Sequence, residues 1–121
     1  MKKAFIDLDG SLRISDKTTF DMFKNSSLYK GQTDNRFFWI EDSFEIADLS
    51  ERFKVGLCFR NNLVSRIELY YMSENVDSEI ERTQKQEVIF EEIRKNYELK
   101  YKNIENSFDK RNNYSSIIIS F

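Results

Sequence analysis

The sequence of 121 residues predicts a single α+β domain, in which one short and one long helix pack on one face of an antiparallel sheet of about five to seven strands. Apolar residues alternate with polar ones over several short segments, as expected of strands that bury one face. Asp-Gly and Asn-Asn pairs lie between such segments and favour hairpin turns. Hairpins that are interrupted by two helices of unequal length indicate an antiparallel sheet that is covered by helices on one side.

The composition excludes several classes of protein. With 40% hydrophobic and 15% aromatic residues, the chain is too rich in core-forming side chains for a disordered protein. No apolar run approaches the ~20 residues that span a bilayer, and the apolar part of residues 1–6 is too short for a signal peptide. We therefore expect a cytoplasmic protein without a membrane partner. The single cysteine and the absence of histidine exclude an intrachain disulfide, Ser-His-Asp and Cys-His catalysis, and zinc fingers.

The first part of the chain predicts a hairpin followed by a short helix. Residues 4–8 and 11–14 are two short apolar runs on either side of an Asp-Gly pair, which is a frequent hairpin turn. Residues 15–26 predict a helix that Asp16 or Thr18 caps, because short polar side chains accept the free N–H groups of a first helical turn. Two phenylalanines three residues apart would give this helix its apolar side.

The middle of the chain contains the clearest strand pattern. Residues 53–59 and 67–71 alternate with a period of two, and residues 37–40 and 44–47 indicate one or two further antiparallel strands. A two-residue loop after residue 60 would place apolar residues of one strand opposite charged residues of the next, so we predict a three-residue loop. The predicted pairs are Phe59 with Leu63, Val55 with Ile67, and Phe53 with Leu69.

The last part of the chain predicts a long helix and a final strand. Residues 76–97 form the helix, and its second half carries an apolar stripe made of Ile89, Phe90, Ile93 and Tyr97. Residues 78–87 offer only Ile80 as an apolar anchor, so the first half should be mostly exposed to water. Residues 115–121 predict a strand that is rich in isoleucine.

Acidic residues cluster along the chain although the net charge is only −2. Residues 37–51 contain five acids and no base, and residues 74–81 contain four acids and no base. A nucleic-acid-binding protein needs a cationic surface, and none is visible in this sequence. Acidic stretches suit a basic protein partner, and Trp39 beside them is either an interface anchor or a core residue. The predicted partner-binding residues are Trp39, Glu41, Asp42, Glu45, Asp48, Glu51 and Glu79.

A phosphatase is the main enzymatic alternative. Residues 5–12 read Phe-Ile-Asp-Leu-Asp-Gly-Ser-Leu and resemble the first motif of haloacid-dehalogenase-type phosphatases, an apolar strand that ends in Asp-x-Asp-Gly-Thr. The resemblance implies Asp7 as the nucleophile, Asp9 as the general acid/base, and a magnesium ion that both help to hold. That superfamily also requires a parallel sheet and a later Gly-Asp motif, whereas this chain predicts hairpins and contains no Gly-Asp pair.

A further resemblance covers more of the chain. An N-terminal strand pair is followed by Lys-Thr-Thr-Phe at residues 17–20, by the hairpin of residues 53–70, by a charged helix, and by a Ser-Phe-Asp turn at residues 107–109 before the isoleucine-rich strand. This order resembles small bacterial immunity proteins of contact-dependent inhibition and other polymorphic toxin systems. The resemblance implies a non-enzymatic protein, a monomer or weak homodimer without cofactor or metal, that occludes a cognate toxin such as a basic nuclease. A third interpretation is a structural domain that forms homo-oligomers by pairing its final strand across a two-fold axis.

Overall fold

The computed structural model describes residues 3–31, 37–46, 49–72, 79–109 and 114–121. It confirms the α+β fold: a five-stranded antiparallel sheet and a two-stranded sheet accompany one short and one long helix. The elements in chain order are β1 (Ile6–Leu8), β2 (Leu12–Ile14), α1 (Phe20–Lys24), β3 (Phe37–Ile46), β4 (Leu49–Arg60), β5 (Leu63–Tyr71), α2 (Glu79–Asn96), β6 (Asn103–Asp109) and β7 (Tyr114–Ser120). Within the described ranges, no helix is both long enough and apolar enough to cross a membrane.

The large sheet has the strand order β3-β4-β5-β7-β6, and its two faces differ sharply. One row of directly opposed residues crosses all five strands and belongs to the hydrophobic core: Phe38, Leu57, Ile67, Ile119 and Ile104. Both helices and the β1–β2 hairpin add side chains to this core, so we call this side of the sheet the covered face. The prediction that both helices pack on one face is therefore confirmed.

Two phenylalanines attach α1 to the covered face. The ring centroids of Phe20 and Phe23 lie 5.2 and 5.3 Å from that of Phe38. The Phe59 ring of β4 contacts both of them at 5.4 and 5.9 Å. Aromatic pairs of this kind add roughly 0.5–1.5 kcal/mol each beyond the burial of their area, which explains how so short a helix is held in place.

The cap of α1 corrects the sequence prediction. Thr19, rather than Asp16 or Thr18, precedes the first helical residue, and its hydroxyl accepts the Met22 N–H at 3.2 Å. Thr18 is buried, and its hydroxyl donates to the Arg13 carbonyl at 2.7 Å. Because that hydroxyl joins β2 to the following turn, it is not available to cap the helix. The helix is consequently shorter than the predicted range 15–26.

The β4–β5 hairpin corrects the predicted register. Arg60 pairs with Leu63, so the loop is the two-residue turn Asn61-Asn62, in which both residues have positive φ (54° and 66°). A bulge between residues 58 and 59 then shifts the pairing by one residue and brings apolar residues back opposite apolar residues. The resulting pairs are Leu57 with Ile67, Val55 with Leu69, and Phe53 with Tyr71. The apolar face of β4 is as predicted, but the β5 partners of Val55 and Phe53 are displaced by two residues and that of Phe59 by one.

The long helix is partly as predicted. Ile89 and Ile93 are fully buried, which confirms the apolar stripe of its second half. Ile80 is not an apolar anchor, because it is 73% exposed. Arg82 and Gln86 are buried instead, so the first half of α2 packs through polar side chains. Residues 76–78 lie outside the described ranges.

The isoleucine-rich strand β7 is an interior strand. It pairs with β5 on one side and with β6 on the other, so along residues 117–120 both of its edges are used. Pairing of this strand across a two-fold axis, which the oligomer interpretation requires, has no unpaired edge there to use. Residues 107–109, predicted as a turn, are the end of β6.

Candidate functional site

We call the second side of the large sheet the open face, because side chains on each of its five strands are exposed or half-exposed; at the end of β5, Arg82 of α2 lies over Tyr70 of this face. Its central row crosses all five strands through Trp39, Gly56, Glu68, Ile118 and Glu105. The neighbouring rows hold Phe37, Cys58, Arg66, Ser120 and Asn103 on one side, and Glu41, Lys54 and Tyr70 on the other. The open face thus combines aromatic, aliphatic and charged side chains, as protein-binding surfaces do.

An aromatic pair lies at one end of the central row. Phe37 and Trp39 are two residues apart on β3, and their ring centroids are 4.8 Å apart. Both rings lie over Gly56 of β4: a Cβ at that position would be 2.6 Å from two atoms of the Phe37 ring and 3.0 Å from the Trp39 ring. The glycine therefore allows the two rings to approach the backbone of β4 closely and does not serve a turn. The arrangement leaves the Trp39 side chain 37% exposed to solvent.

Two cations lie beside this aromatic pair. The Lys54 ammonium is 4.8 Å from the centroid of the Trp39 ring, and the Arg66 guanidinium is 5.5 Å from that of Phe37. Both distances fall within the range of cation–π attraction, which restrains the rings and the cations together. Residues 37–51 contain no base, and Lys54 and Arg66 reach the aromatic pair through strand pairing.

The predicted acidic residues do not form one surface. Glu41 and Glu45 share the open face with Trp39, whereas Asp42 lies on the opposite side of β3 and is still exposed at the sheet edge. Glu41 is paired with Arg52 of β4 at 3.2 Å, with both side chains 44% exposed. An exposed pair of this kind contributes little to stability, but it lowers the net negative charge of the surface.

The other predicted acids are placed differently. Glu51 is half-buried and lies opposite Phe44, on the covered side of the sheet. Asp48 lies outside the described residues. Glu79 is the first residue of α2, and only its backbone is described. The structure thus brings Trp39, Glu41 and Glu45 together and separates them from Glu51.

Glu68 is a carboxylate near the centre of the open face. Its side chain is only 16% exposed, and its Oε1 lies 3.9 Å from Nε of Arg66. Burial raises the pKa of the Glu68 carboxyl above its ordinary value of 4.5, and the positive charge of Arg66 opposes part of that rise. A molecule that covered the open face would shield this carboxyl further from water and so change how readily it binds a proton.

A groove of about 230 Å³ opens beside β3, between this strand and two preceding loops. Its lining residues are Asp9, Ser27, Leu28, Lys30, Trp39, Ile40, Glu41 and Asp42. Three acidic residues and one lysine therefore belong to the lining, which gives the groove a negative balance. Among the described residues, no group of three or more His, Cys, Asp or Glu side chains is arranged to hold a metal ion. The excess of acidic residues in the lining makes the groove suitable for a basic side chain.

The Asp-x-Asp-Gly segment forms a hairpin turn. The Asp7 carboxylate accepts the Gly10 N–H at 3.1 Å, and the Ser11 N–H donates to the Leu8 carbonyl at 3.0 Å. Asp9 and Gly10 both have positive φ, 57° and 68°. The preceding strand β1 belongs to a separate two-stranded antiparallel sheet. The described strands therefore lack the parallel sheet that a phosphatase of the resembled type requires.

Sequence reasoning missed a buried polar cluster between α2 and the sheet. The Arg82 guanidinium donates to Oγ of Ser115 at 2.6 Å and to Oε1 of Gln86 at 2.9 Å. The Gln86 amide donates to Oδ1 of Asn106 at 3.0 Å. Arg82 also lies over the Tyr70 ring, 4.3 Å from its centroid. The available signal was the spacing of Arg82 and Gln86, four residues apart on the same side of the helix as Ile89 and Ile93.

Comparison with protein-family models finds no match, and neither a curated protein nor a solved structure matches the chain. The binding properties of the open face must therefore be inferred from its own geometry and charge.

Proposed function

We propose that this chain is a cytoplasmic, non-enzymatic binding protein that neutralises a cognate bacterial toxin, and that the open face forms the contact. The proposal is carried by one observation, the Phe37–Trp39 pair on Gly56. This pair holds a tryptophan partly exposed at a fixed place on a sheet. Tryptophan is among the residue types that most often dominate the energy of protein interfaces.

The residues around the aromatic pair support a protein partner. Arg66, which is exposed, lies in the row next to Trp39 and belongs to the same group of residue types that are enriched at interface centres. Exposed acids lie at the periphery of the face, at Glu45 of β3 and at Glu105 of β6. An aromatic and arginine-containing centre with a charged border is the usual organisation of a protein interface.

The scaffold also favours binding. The side chains of the open face project from strands that are paired in a continuous sheet, and Gly56 together with two cations restrains the aromatic pair. Side chains that are already ordered lose less conformational entropy when a partner covers them. The open face can therefore bind a partner without first rearranging its side chains.

The exposed acids fit a basic partner such as a nuclease domain. Glu41 and Glu45 lie on the same face as Trp39, so a positively charged toxin surface that is attracted to them reaches the aromatic pair. Charges at the border of an interface mainly increase the rate of association, whereas desolvated contacts at its centre determine how slowly the complex dissociates. In this division of roles, the acids guide the toxin and Trp39 holds it.

Co-expression tests the proposal. The chain is produced together with the product of the gene immediately upstream, and growth and co-purification are measured for the wild type, Trp39→Ala and Val88→Ala. Val88 is the matched control, because it is 58% exposed on α2, away from the open face. We expect the wild type and Val88→Ala to restore growth and form a complex, and Trp39→Ala to fail although its circular dichroism is unchanged.

Two results would contradict the proposal. If the upstream product is harmless, or if it kills equally with and without this chain, toxin neutralisation is wrong. If Trp39→Ala restores growth as well as the wild type does, the toxin is bound by a surface other than the open face.

A further inference from the structure

In the part of the chain that the structure describes, β3 is an edge strand, and its outer side pairs with no other strand. The Ser43 N–H donates to the Asp42 carboxylate at 2.8 Å and so points away from β4. The pairing of β3 with β4 is unbroken from residue 37 to residue 46. Because backbone groups alternate in direction along an antiparallel strand, Trp39, Glu41 and Glu45 also direct their N–H and C=O groups outward.

The charges along β3 are all negative. Glu41, Asp42 and Glu45 are exposed, and the strand contains no lysine or arginine. Arg52 and Lys54 of β4 lie over the open face, and Lys30 lines the groove beside β3. If two copies of this chain paired through β3, six carboxylates would lie along one ladder, and like charges on paired strands are destabilising. The edge therefore opposes a second copy and attracts a strand of opposite charge.

The acid-lined groove lies along this same edge. Its lining includes residues 39–42 of β3 and, across from them, Asp9 of the β1–β2 turn and Lys30. A strand that added to β3 would therefore pass the groove and could place one long side chain in it. Three acidic residues and one lysine line the groove, and Glu41 is also paired with Arg52, so the lining keeps a negative balance that favours a lysine or arginine side chain.

We propose that β3 binds an extended, lysine- or arginine-rich segment of the partner protein by strand addition, with one basic side chain in the groove between β3 and Asp9. Backbone hydrogen bonds to the outward groups of β3 supply affinity, and the acidic groove supplies selectivity for charge. This inference rests on the proposed function in one respect, namely that the basic segment belongs to the toxin. It adds which edge is used and what chemistry the partner segment has.

A synthetic peptide tests the inference without the toxin. The probe is a ten-residue peptide, capped at both ends, that alternates lysine with threonine, and a second peptide has the same sequence with every backbone nitrogen methylated. Both peptides carry the same charge, but only the first can form a strand ladder. We expect the first to bind in calorimetry and the methylated one to bind at least about tenfold more weakly.

Charge variants provide the matched control. The triple variant Glu41→Gln, Asp42→Asn, Glu45→Gln removes three negative charges at β3. The control, Asp21→Asn, Glu87→Gln, Glu98→Gln, removes three exposed negative charges on α1, on α2 and after α2, away from β3 and the open face. We expect the first triple variant to weaken peptide binding by about tenfold or more and the control by less than about twofold. Far-ultraviolet circular dichroism checks that both variants are folded.

Amide hydrogen exchange locates the added strand. We expect the peptide to slow exchange at Trp39, Glu41 and Glu45, while the amides of Phe38 and Ile40, which already face β4, stay unchanged. The inference is overturned if the peptide does not bind, if methylation does not weaken binding, or if the newly protected amides lie outside β3.

The outcome is separable from that of the proposed function. If the peptide adds to β3 but co-expression gives no rescue, toxin neutralisation is wrong and strand addition stands. If co-expression gives rescue but the β3 amides of the complex with the upstream product are not protected, strand addition is wrong and toxin neutralisation stands.

Discussion

The backbone N–H of Tyr71 donates to Oε1 of Gln86 at 3.4 Å, so a side chain of α2 occupies the place of a strand partner at the end of β5. The pairing of β5 with β7 ends two residues earlier. If it continued, Tyr71 would lie opposite Ser115, but the Ser115 hydroxyl accepts hydrogen bonds from Arg82 and Gln86 instead. Polar side chains of the helix thus join β5 to β7 where the two strands separate.

The first prediction concerns Gln86. Its side chain is fully buried and makes hydrogen bonds to Tyr71, Arg82, Asn106 and Ser115. Gln86→Leu keeps the volume but leaves the Tyr71 N–H and the buried guanidinium of Arg82 without these acceptors. We expect the free energy of unfolding to fall by about 2–4 kcal/mol in urea denaturation, because buried donors then lack partners.

Gln84→Leu is the control for this prediction. Gln84 is exposed on the same helix, and its change to leucine is expected to alter the free energy of unfolding by less than about 0.5 kcal/mol. If both variants unfold at the same urea concentration, the polar cluster does not join α2 to the sheet in the way described above.

The second prediction concerns Gly56. A Cβ there would meet the outer atoms of the Phe37 ring at 2.6 Å, and the ring can swing aside because those atoms are at the end of its side chain. We expect Gly56→Ala to change stability by less than about 1 kcal/mol, since alanine also reduces the entropy of the unfolded chain. The fluorescence and near-ultraviolet circular dichroism of Trp39, the single tryptophan, should change clearly.

A double variant checks the cause of that spectral change. Phe37→Ala removes the ring that the new Cβ would displace, so it should produce a similar spectrum on its own. Adding Gly56→Ala to Phe37→Ala should then change the spectrum little, because two changes that act through one contact are not additive. If the effects of the two changes simply add, the glycine does not act through the Phe37 ring.

The sequence predicted the fold well where local patterns determine it. The alternation of residues 53–59 identified the correct apolar face of β4, but the register was wrong because the bulge at residues 58 and 59 leaves no periodic signal. Asn61 and Asn62 have positive φ, which makes the two-residue turn possible. The bulge then shifts the pairing by one residue, so that apolar residues of β4 lie opposite apolar residues of β5. The hydrophobic pattern alone shows which residues share a face of a strand, whereas the pairing register also depends on bulges and other backbone irregularities.

The candidate site was harder to predict, because it depends on pairing between distant residues. Trp39 and the acids of β3 were visible in the sequence, but Arg52, Lys54 and Arg66 reach them only through the sheet register. Gly56 was part of a strand pattern, and its role depends on the rings that lie over it. Residues that act through cross-strand contacts carry no local sequence signal of that action.

The third prediction is a dependence of stability on pH through Glu68. Burial raises the pKa of this carboxyl in the folded protein, so the folded state binds a proton more readily than the unfolded state does. The contribution of Glu68 to the free energy of unfolding therefore decreases as the pH rises from 4.5 through the pKa of the folded state. Above that pKa the decrease is complete. Glu68→Gln should be more stable than the wild type at neutral pH, and the difference should shrink on acidification.

The control for Glu68 is Glu105→Gln, in the same row of the open face but exposed. Its urea midpoint relative to the wild type should show no such trend between neutral pH and pH 4.5. If Glu68→Gln also follows the wild type in parallel across this range, burial does not control the protonation of Glu68. A reversed trend would mean that Arg66 stabilises the carboxylate more than burial destabilises it.

The fourth prediction rests on the proposed function and separates the roles of Trp39 and Glu45 in the proposed contact with the toxin. Trp39 belongs to the aromatic pair, so Trp39→Ala should mainly increase the dissociation rate, by about tenfold or more, as loss of a central contact does. Glu45 is an exposed charge, so Glu45→Lys should mainly lower the association rate. Only the effect of Glu45→Lys should disappear when salt is raised, because salt screens attraction between exposed charges. Surface plasmon resonance at low and high salt measures both rates, and equal salt dependence of the two variants would contradict this division of roles.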